Sequence, residues 1–350
     1  MGEKCGVAII GYGGMGSWHA KQLKDIDEVL FCGIFDIADN RNEAAKSKGI
    51  HVYESLENLL DDSNVDVVTI AIPNDQHLPV ALEVMKAHKN VICEKPAALN
   101  LDGLNQMIRV SKEQDVLFTV HQNRRWDEDF LIVKQLYLEG TLGNIFNIEC
   151  RVQGSRGIPG DWRSKKVHGG GMILDWGVHI FDQLLQLIPS NVKRVYAELS
   201  QIAGEDVEDG FKALIHFENG VKCQVDVGTR NFLTLPHWYV QGTLGTAIIK
   251  DWSLNGKICM VNNWKKTDVV PIVTAAGLTK TMAPRTNETV MEKPLPRVNS
   301  NIHDYYKNVA KTLKGKAQII VKHDELRRVM RLMEVVLLSG QSGKVVNEII

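Results

Sequence analysis

The stretch Val7-Ala8-Ile9-Ile10-Gly11-Tyr12-Gly13-Gly14-Met15-Gly16 decides how the chain folds. Four apolar residues in a row read as a buried strand. A helical pattern follows from near Met15 to Leu23. Gly11, Gly13 and Gly16 satisfy G-x-G-x-x-G in the strand-then-helix setting that the motif requires. Gly11 permits the tight turn, Gly13 lets the backbone approach a pyrophosphate, and Gly16 allows helix and strand to touch. The free N–H groups at Gly14 and Met15 and the positive helix end would hold the phosphates. A second strand, Val29 to Phe35, ends at Asp36, 20 positions after Gly16. An acid there can accept hydrogen bonds from the adenosine ribose and repel a 2′-phosphate. The reading therefore favours NAD over NADP. Arg41 is the counter-signal, since it could stack on adenine or reach a 2′-phosphate.

Working outward, strand and helix patterns alternate. Val65 to Ala71, Asn90 to Cys93 and Val116 to Val120 read as strands; Pro79 to His88 and Leu101 to Glu113 read as helices. Apolar strands separated by helices imply a parallel sheet covered on both faces. After about residue 124 the pattern changes. Arg125 to Glu139 reads as one helix and Asn144 to Gln153 opens a new region. A glycine run from Gly169 leads into a helix ending near Pro189. Strands without intervening helices follow: Lys193 to Gln201, Phe211 to Phe217, Val221 to Thr229, Trp238 to Gln241 and Ala247 to Lys250. Glu218-Asn219-Gly220 is a hairpin signal. Residues 274–298 read as an irregular loop. Helices at Ser300 to Leu313 and Asp324 to Ser339 close the chain. The expected fold is α/β followed by α+β. A Rossmann domain over 1–123 precedes a domain over 124–350 built on a mostly antiparallel open sheet. The last helices are expected to pack back on the first domain.

Composition narrows the function. The chain has 350 residues, 44% hydrophobic and 24% charged, enough for two cored domains. A formal net charge of -1 argues against nucleic acid or an anionic membrane as the main partner. Cys5, Cys32, Cys93, Cys150, Cys223 and Cys259 are scattered without metal-site spacing. They read as buried free thiols, with no metal, in a reducing cytoplasm. No apolar run reaches the roughly 18–20 residues of a membrane span, and no leader pattern is visible.

Two clusters carry chemistry. Glu94-Lys95-Pro96 follows the strand ending at Cys93, and ligands bind at the carboxyl ends of parallel strands. Lys95 would then face the crevice, although a surface lysine fits the position equally. Asp175 and His179 stand four apart on a predicted helix, which places both on one face. A carboxylate beside an imidazole fixes its tautomer and raises its basicity, and alcohol oxidation needs a base. A structural i,i+4 pair is the other reading.

Together these features resemble the glucose–fructose oxidoreductase / inositol dehydrogenase / MocA family, over essentially the whole chain. The resemblance rests on the Gly11-x-Gly13-x-x-Gly16 turn, on Glu94-Lys95-Pro96, and on the glycine run leading to Asp175-x-x-x-His179. It implies that Lys95 polarises the reacting oxygen, that His179 is the base, and that Asp175 orients His179. It implies a cis peptide at Pro96. Pro73, Asn74 and His77 would lie near the nicotinamide ribose beside Glu94 and Lys95. The segment Gln122-Asn123-Arg124-Arg125-Trp126 would form the crossover, with Gln122 at the cofactor and Arg125 and Trp126 at the substrate. Trp162 and Arg163 are further substrate candidates, as are Arg156, Lys165 and His168. Trp176 reads as core rather than as a sugar platform. The implied activity is NAD-dependent oxidation of a secondary hydroxyl on a sugar, glycoside or inositol. The implied assembly is a homodimer or homotetramer through the second sheet. Two other readings stay open: a redox-neutral NAD-dependent glycosidase or lyase, and a non-catalytic NAD(H) sensor.

Overall fold

The computed structural model describes residues 4–204, 206–264 and 270–350. Its first part alternates strands and helices: β1 (Cys5–Ile10), α1 (Gly14–Leu23), β2 (Val29–Phe35), α2 (Asp39–Lys46), α3 (Leu56–Asp61), β3 (Val67–Ile70), α4 (Asn74–Lys86), β4 (Asn90–Cys93), α5 (Leu101–Glu113) and β5 (Phe118–Val120). The five strands are parallel in the order β2-β1-β3-β4-β5. Val52 adds a lone parallel bridge to Ile34 outside β2. All six residues of β1 are buried, which explains the unbroken apolar run, because both sheet faces are covered by helices. The strand order reverses between β1 and β3, and a crevice opens there above the carboxyl ends. The α4 helix starts at Asn74 and runs through Pro79. Proline lacks an N–H and reads as a helix start, so the preceding turn escaped the sequence pattern.

The chain crosses over at a 3₁₀ turn, Asn123–Trp126, followed by α6 (Glu128–Leu138). The single helix expected from Arg125 is thus divided at Asp127, whose backbone is extended. Next come β6 (Ile145–Gln153), a π-turn at Ile173–Gly177, and α7 (Val178–Leu187). The remaining elements are β7 (Val192–Ser200), β8 (Gly210–Phe217), β9 (Lys222–Gly228), β10 (Trp238–Gly242), β11 (Gly245–Ile249), β12 (Gly256–Val261), β13 (Ile272–Thr274), β14 (Gly277–Thr279), β15 (Val290–Lys293), α8 (His303–Leu313), α9 (His323–Ser342) and β16 (Val346–Asn347). Nine strands form one sheet in the order β15-β12-β11-β10-β6-β9-β8-β7-β16. All pairings are antiparallel except β6 with β9. β13 and β14 make a separate hairpin. The region 274–298, expected to be irregular, holds β14 and β15. Both are short and largely exposed, so they lack the alternation that reveals a half-buried strand.

The long helix α9 packs on α7, on β7 and on α5, while α8 touches α1 and β2. Both closing helices therefore contact the first sheet's layer. Leu326, Val329, Leu332, Val335 and Val336 of α9 are buried, each worth about 1.5–3 kcal/mol of transfer free energy. Across the layers, Glu334 accepts the Leu101 N–H at 2.8 Å and Tyr306 meets Thr69 at 3.1 Å. No helix among the described residues is long and apolar enough to cross a membrane.

Candidate active site

The β1–α1 turn has the shape that its glycines dictate. Gly11 has φ of +92°, and a Cβ there would lie 2.4 Å from the Ala71 carbonyl oxygen. A Cβ on Gly16 would lie 1.9 Å from the Gly11 carbonyl oxygen. Only glycine allows this approach. At Gly13 the nearest atom would be 3.7 Å away, on Arg41, so space remains above the turn. No side chain caps the start of α1, and its first turn holds no acid. Its leading N–H groups are thus left for an anion. Asp36 is buried below the turn. It accepts the Tyr12 N–H at 2.6 Å and the Ala38 N–H at 2.9 Å, and Arg41 at 3.3 Å. A dinucleotide fits this cradle.

A cleft of about 540 Å³ starts at this turn. Gly13, Gly14, Met15, Arg41, Pro73, Asn74, His77, Glu94, Lys95, Trp162, Arg163, Asp175 and His179 all line it. Gly11, Gly16 and Asp36 lie beneath. The carboxyl end of β4, beside β3, delivers Glu94 and Lys95, while the π-turn and α7 bring Asp175 and His179 from the second domain. The Lys95–Pro96 peptide is cis. Lys95 Nζ donates to the Asp175 carboxylate and to the Asp175 carbonyl, each at 3.0 Å. Burial raises the Asp175 carboxyl, but Lys95, then Arg163 and Arg124, bring it below its ordinary value.

The partner of Asp175 is therefore Lys95, not His179. Asp175 sits in the π-turn before α7, so the four-residue spacing does not give the α-helical pairing expected from sequence. His179 is buried, and its Nδ1 has no hydrogen-bond partner. Burial, and then the charges of Lys95 and Arg124, hold its pKa well below 6.5. The ring is neutral, with a lone pair to offer. The expected rise in basicity from Asp175 is overturned, because the carboxylate is spent on the ammonium.

A buried network fixes Glu94. His19 Nε2 and His121 Nδ1 both lie 2.8 Å from Glu94 Oε1, and Tyr306 OH lies 2.8 Å from His19 Nδ1. Two imidazole N–H groups donating to one carboxylate oxygen satisfy these distances. Burial raises the Glu94 carboxyl, but His121 and His19 hold it well below its ordinary value. Burial, then His121, depress His19 in turn. The other Glu94 oxygen accepts the Lys95 N–H at 3.1 Å, so the network anchors the lysine's backbone. His77 is likewise set, its ring nitrogens 2.8 Å from the Pro96 carbonyl and 2.9 Å from that of Ile72.

These depressed imidazoles set the acid stability. As pH falls through 6.5, the unfolded chain takes up protons that buried His19 and His179 refuse. The unfolded state then binds more protons, so stability is full above 6.5 and drains below it, by up to about 1.4 kcal/mol per pH unit for each ring. A thermal-melting series from neutral to mildly acidic pH should show a steady fall in midpoint. A flat series would contradict the neutral-ring assignment.

Several residues expected at the site stand elsewhere. Arg125 is buried away from the cleft, forked onto Asp182 at 2.6 and 2.7 Å and bonded to Glu325 at 2.8 Å. Its neighbour Arg124 lines the cleft instead. Trp126 packs edge-on against Tyr305, with centroids 5.8 Å apart. Gln122 is buried with Oε1 unpartnered and is not on the cleft wall. Lys165 is exposed. By contrast Trp176, expected in the core, lines the cleft, and Arg124 stacks on it at 4.2 Å. Arg163 stacks on Trp162 at 4.5 Å and bonds Asp161 at 2.7 Å. His168 faces Asp75 at 3.3 Å across the two domains. Glu208 was not foreseen. Its carboxylate accepts the Ile173 N–H at 2.9 Å and abuts Gly171, so it anchors the turn that carries Asp175.

Residues 5–122 match the family described as "Oxidoreductase family, NAD-binding Rossmann fold", and residues 130–248 match the "GFO/IDH/MocA C-terminal domain". The chain belongs to the Gfo/Idh/MocA family. This family comprises NAD(P)-dependent sugar and inositol oxidoreductases. The chain is similar over 99% of its length to the crystal structure of an NAD-binding protein from Listeria innocua. That likeness has 45% identity and a TM-score of 0.96, and spans 100% of that protein. It is 29% identical over 231 residues to myo-inositol 2-dehydrogenase of Thermotoga maritima, covering 64% of this chain and 68% of that one. It is 25% identical over 350 residues to scyllo-inositol 2-dehydrogenase (NADP(+)) IolW of Bacillus subtilis, covering 97% and 95%. As a Gfo/Idh/MocA member, the chain is an NAD(P)-dependent oxidoreductase with NAD as its cofactor.

Proposed function

We propose that this Gfo/Idh/MocA chain oxidises a secondary hydroxyl of a sugar, glycoside or inositol, reversibly. The reading is carried by one observation: a neutral, unpartnered His179 and a Lys95 held by Asp175 share one cleft with the glycine turn. Bound NAD supplies the hydride acceptor in oxidation. Lys95 Nζ donates to the substrate oxygen and stabilises the charge that gathers there. His179 takes the hydroxyl proton, and returns it in reduction. Asp175 fixes the ammonium. Glu94 holds the lysine's backbone in register. The cofactor domain ends at residue 123 in this reading. A panel of polyols with NAD, followed by NADH absorbance, tests it; no turnover across inositols, hexoses and glycosides would overturn it.

The cofactor preference follows from Asp36. Its buried carboxylate meets two backbone N–H groups and one arginine among the described residues and keeps its negative charge, so a 2′-phosphate meets repulsion. Asp36→Ala should shift the ratio of KM for NADP to that for NAD by at least about tenfold towards NADP, with Arg41 released. An unchanged ratio would remove Asp36 from cofactor choice.

The open face of the large sheet supports a homo-oligomer. Tyr196, Leu214, Gln224, Glu149, Tyr239 and Ile248 lie opposite one another on successive strands of that face. Leu214 is 45% exposed, and such a face packs on another layer.

A further inference from the structure

An aromatic row leaves the cleft at His179. Trp176 lies 5.8 Å from His179, and Trp252 lies 5.9 Å beyond Trp176, tilted by 43°. The Arg124 guanidinium covers both indoles, at 4.2 and 5.2 Å. Arg124 and Trp176 line the cleft and also a second cavity of about 630 Å³. Trp252 and Arg156 line that second cavity too, and no carboxylate among the described residues does. Arg230 stands at its rim, its guanidinium 3.5 Å from where Gly157 would carry a Cβ.

The charges there are unbalanced. Arg156 and Arg230 are exposed and make no ion pair among the described residues. Arg124 bonds Asp127 at 2.7 Å, yet its Nε is buried without a partner. Trp252 is 55% exposed at the same place. Guanidinium groups grip phosphate or carboxylate oxygens in pairs, and stacking on indole leaves their edge donors available. Indole faces suit the C–H surface of a ring.

We propose that the substrate bears an anionic group, phosphate or carboxylate, on the side remote from the oxidised carbon, and that Arg124, Arg156 and Arg230 hold it in this second cavity. Trp176 and Trp252 support the sugar between the anion and His179. The inference rests on the dehydrogenase reading for the direction in which the substrate lies, and its test does not need turnover.

Calorimetry on the NADH-loaded full chain should compare glucose 6-phosphate, glucuronate and glucose. At least one anionic sugar should bind about tenfold or more tightly than glucose, and added salt should narrow the gap. Whichever anionic sugar binds more tightly identifies phosphate or carboxylate as the source. In Arg156→Ala/Arg230→Ala the ratio of anionic to neutral affinity should collapse towards one. Equal binding of all three sugars, or a ratio that survives the double substitution, overturns the proposal. Anion-selective binding with no NADH formed when the same sugars are offered to the chain with NAD would instead sink the dehydrogenase reading and leave the subsite standing.

Discussion

His179→Ala is expected to lower kcat by roughly 10²–10⁴-fold, the usual contribution of a positioned base. NAD affinity should change little, because the phosphates are held at the Gly11–Gly16 turn. The pH profile separates this role from a structural one. Burial, Lys95 and Arg124 hold His179 well below 6.5, so its ring is neutral throughout the neutral range. The acid limb of oxidation should therefore lie below 6.5. Lys95→Met removes the larger of those two charge effects and should raise the His179 pKa, moving the limb upward. It should also cost roughly 10²–10³-fold in kcat, through loss of the donor to the substrate oxygen. Unchanged turnover in His179→Ala, or a limb that ignores Lys95, would refute the assignment.

Arg125→Ala should destabilise the fold by about 3–5 kcal/mol. Arg125 donates twice to Asp182 and once to Glu325. Asp182 is 2% exposed, and burial already pushes its carboxyl up against the pull of Arg125. Without the guanidinium, a buried carboxylate is left unpaired. The crossover turn, α7 and α9 lose their common tie. A urea-unfolding midpoint measures the loss. Arg125→Lys should rescue little, since a point charge cannot replace the planar fork. Arg125→Met/Asp182→Leu should recover much of it, since apolar packing replaces the pair. A loss under about 1 kcal/mol would class the contact with exposed ion pairs.

The contrast between Arg124 and Arg125 marks where sequence reading stopped. Both belong to one quoted segment, and both are cationic. Which one faces the cleft depends on how the 3₁₀ turn is rotated, and no apolar period fixes that over four residues. Trp176 was read as core because tryptophan is usually buried. In fact Trp252, which reaches it from the turn after β11, forms the other half of its platform. Trp252 lies 76 residues further along the chain, so no local pattern could join the two. Asp175 failed as a partner for His179 because spacing predicts faces only on an α-helix, and this segment is a π-turn. The Glu94 network was invisible for the same reason as Trp252: His19, His121 and Tyr306 meet only through packed layers.

The family resemblance implied that Lys95, Asp175 and His179 meet at one cleft, whereas local chemistry alone determined the glycine turn, the acid after β2 and the parallel strands. Those features depend on steric limits and periodicities that act within a few residues. The tertiary structure decided which carboxylate holds the lysine, which arginine enters the cleft and what surrounds the imidazole. Those outcomes follow from the docking of two domains, where burial and neighbouring charge come from residues far apart in the chain.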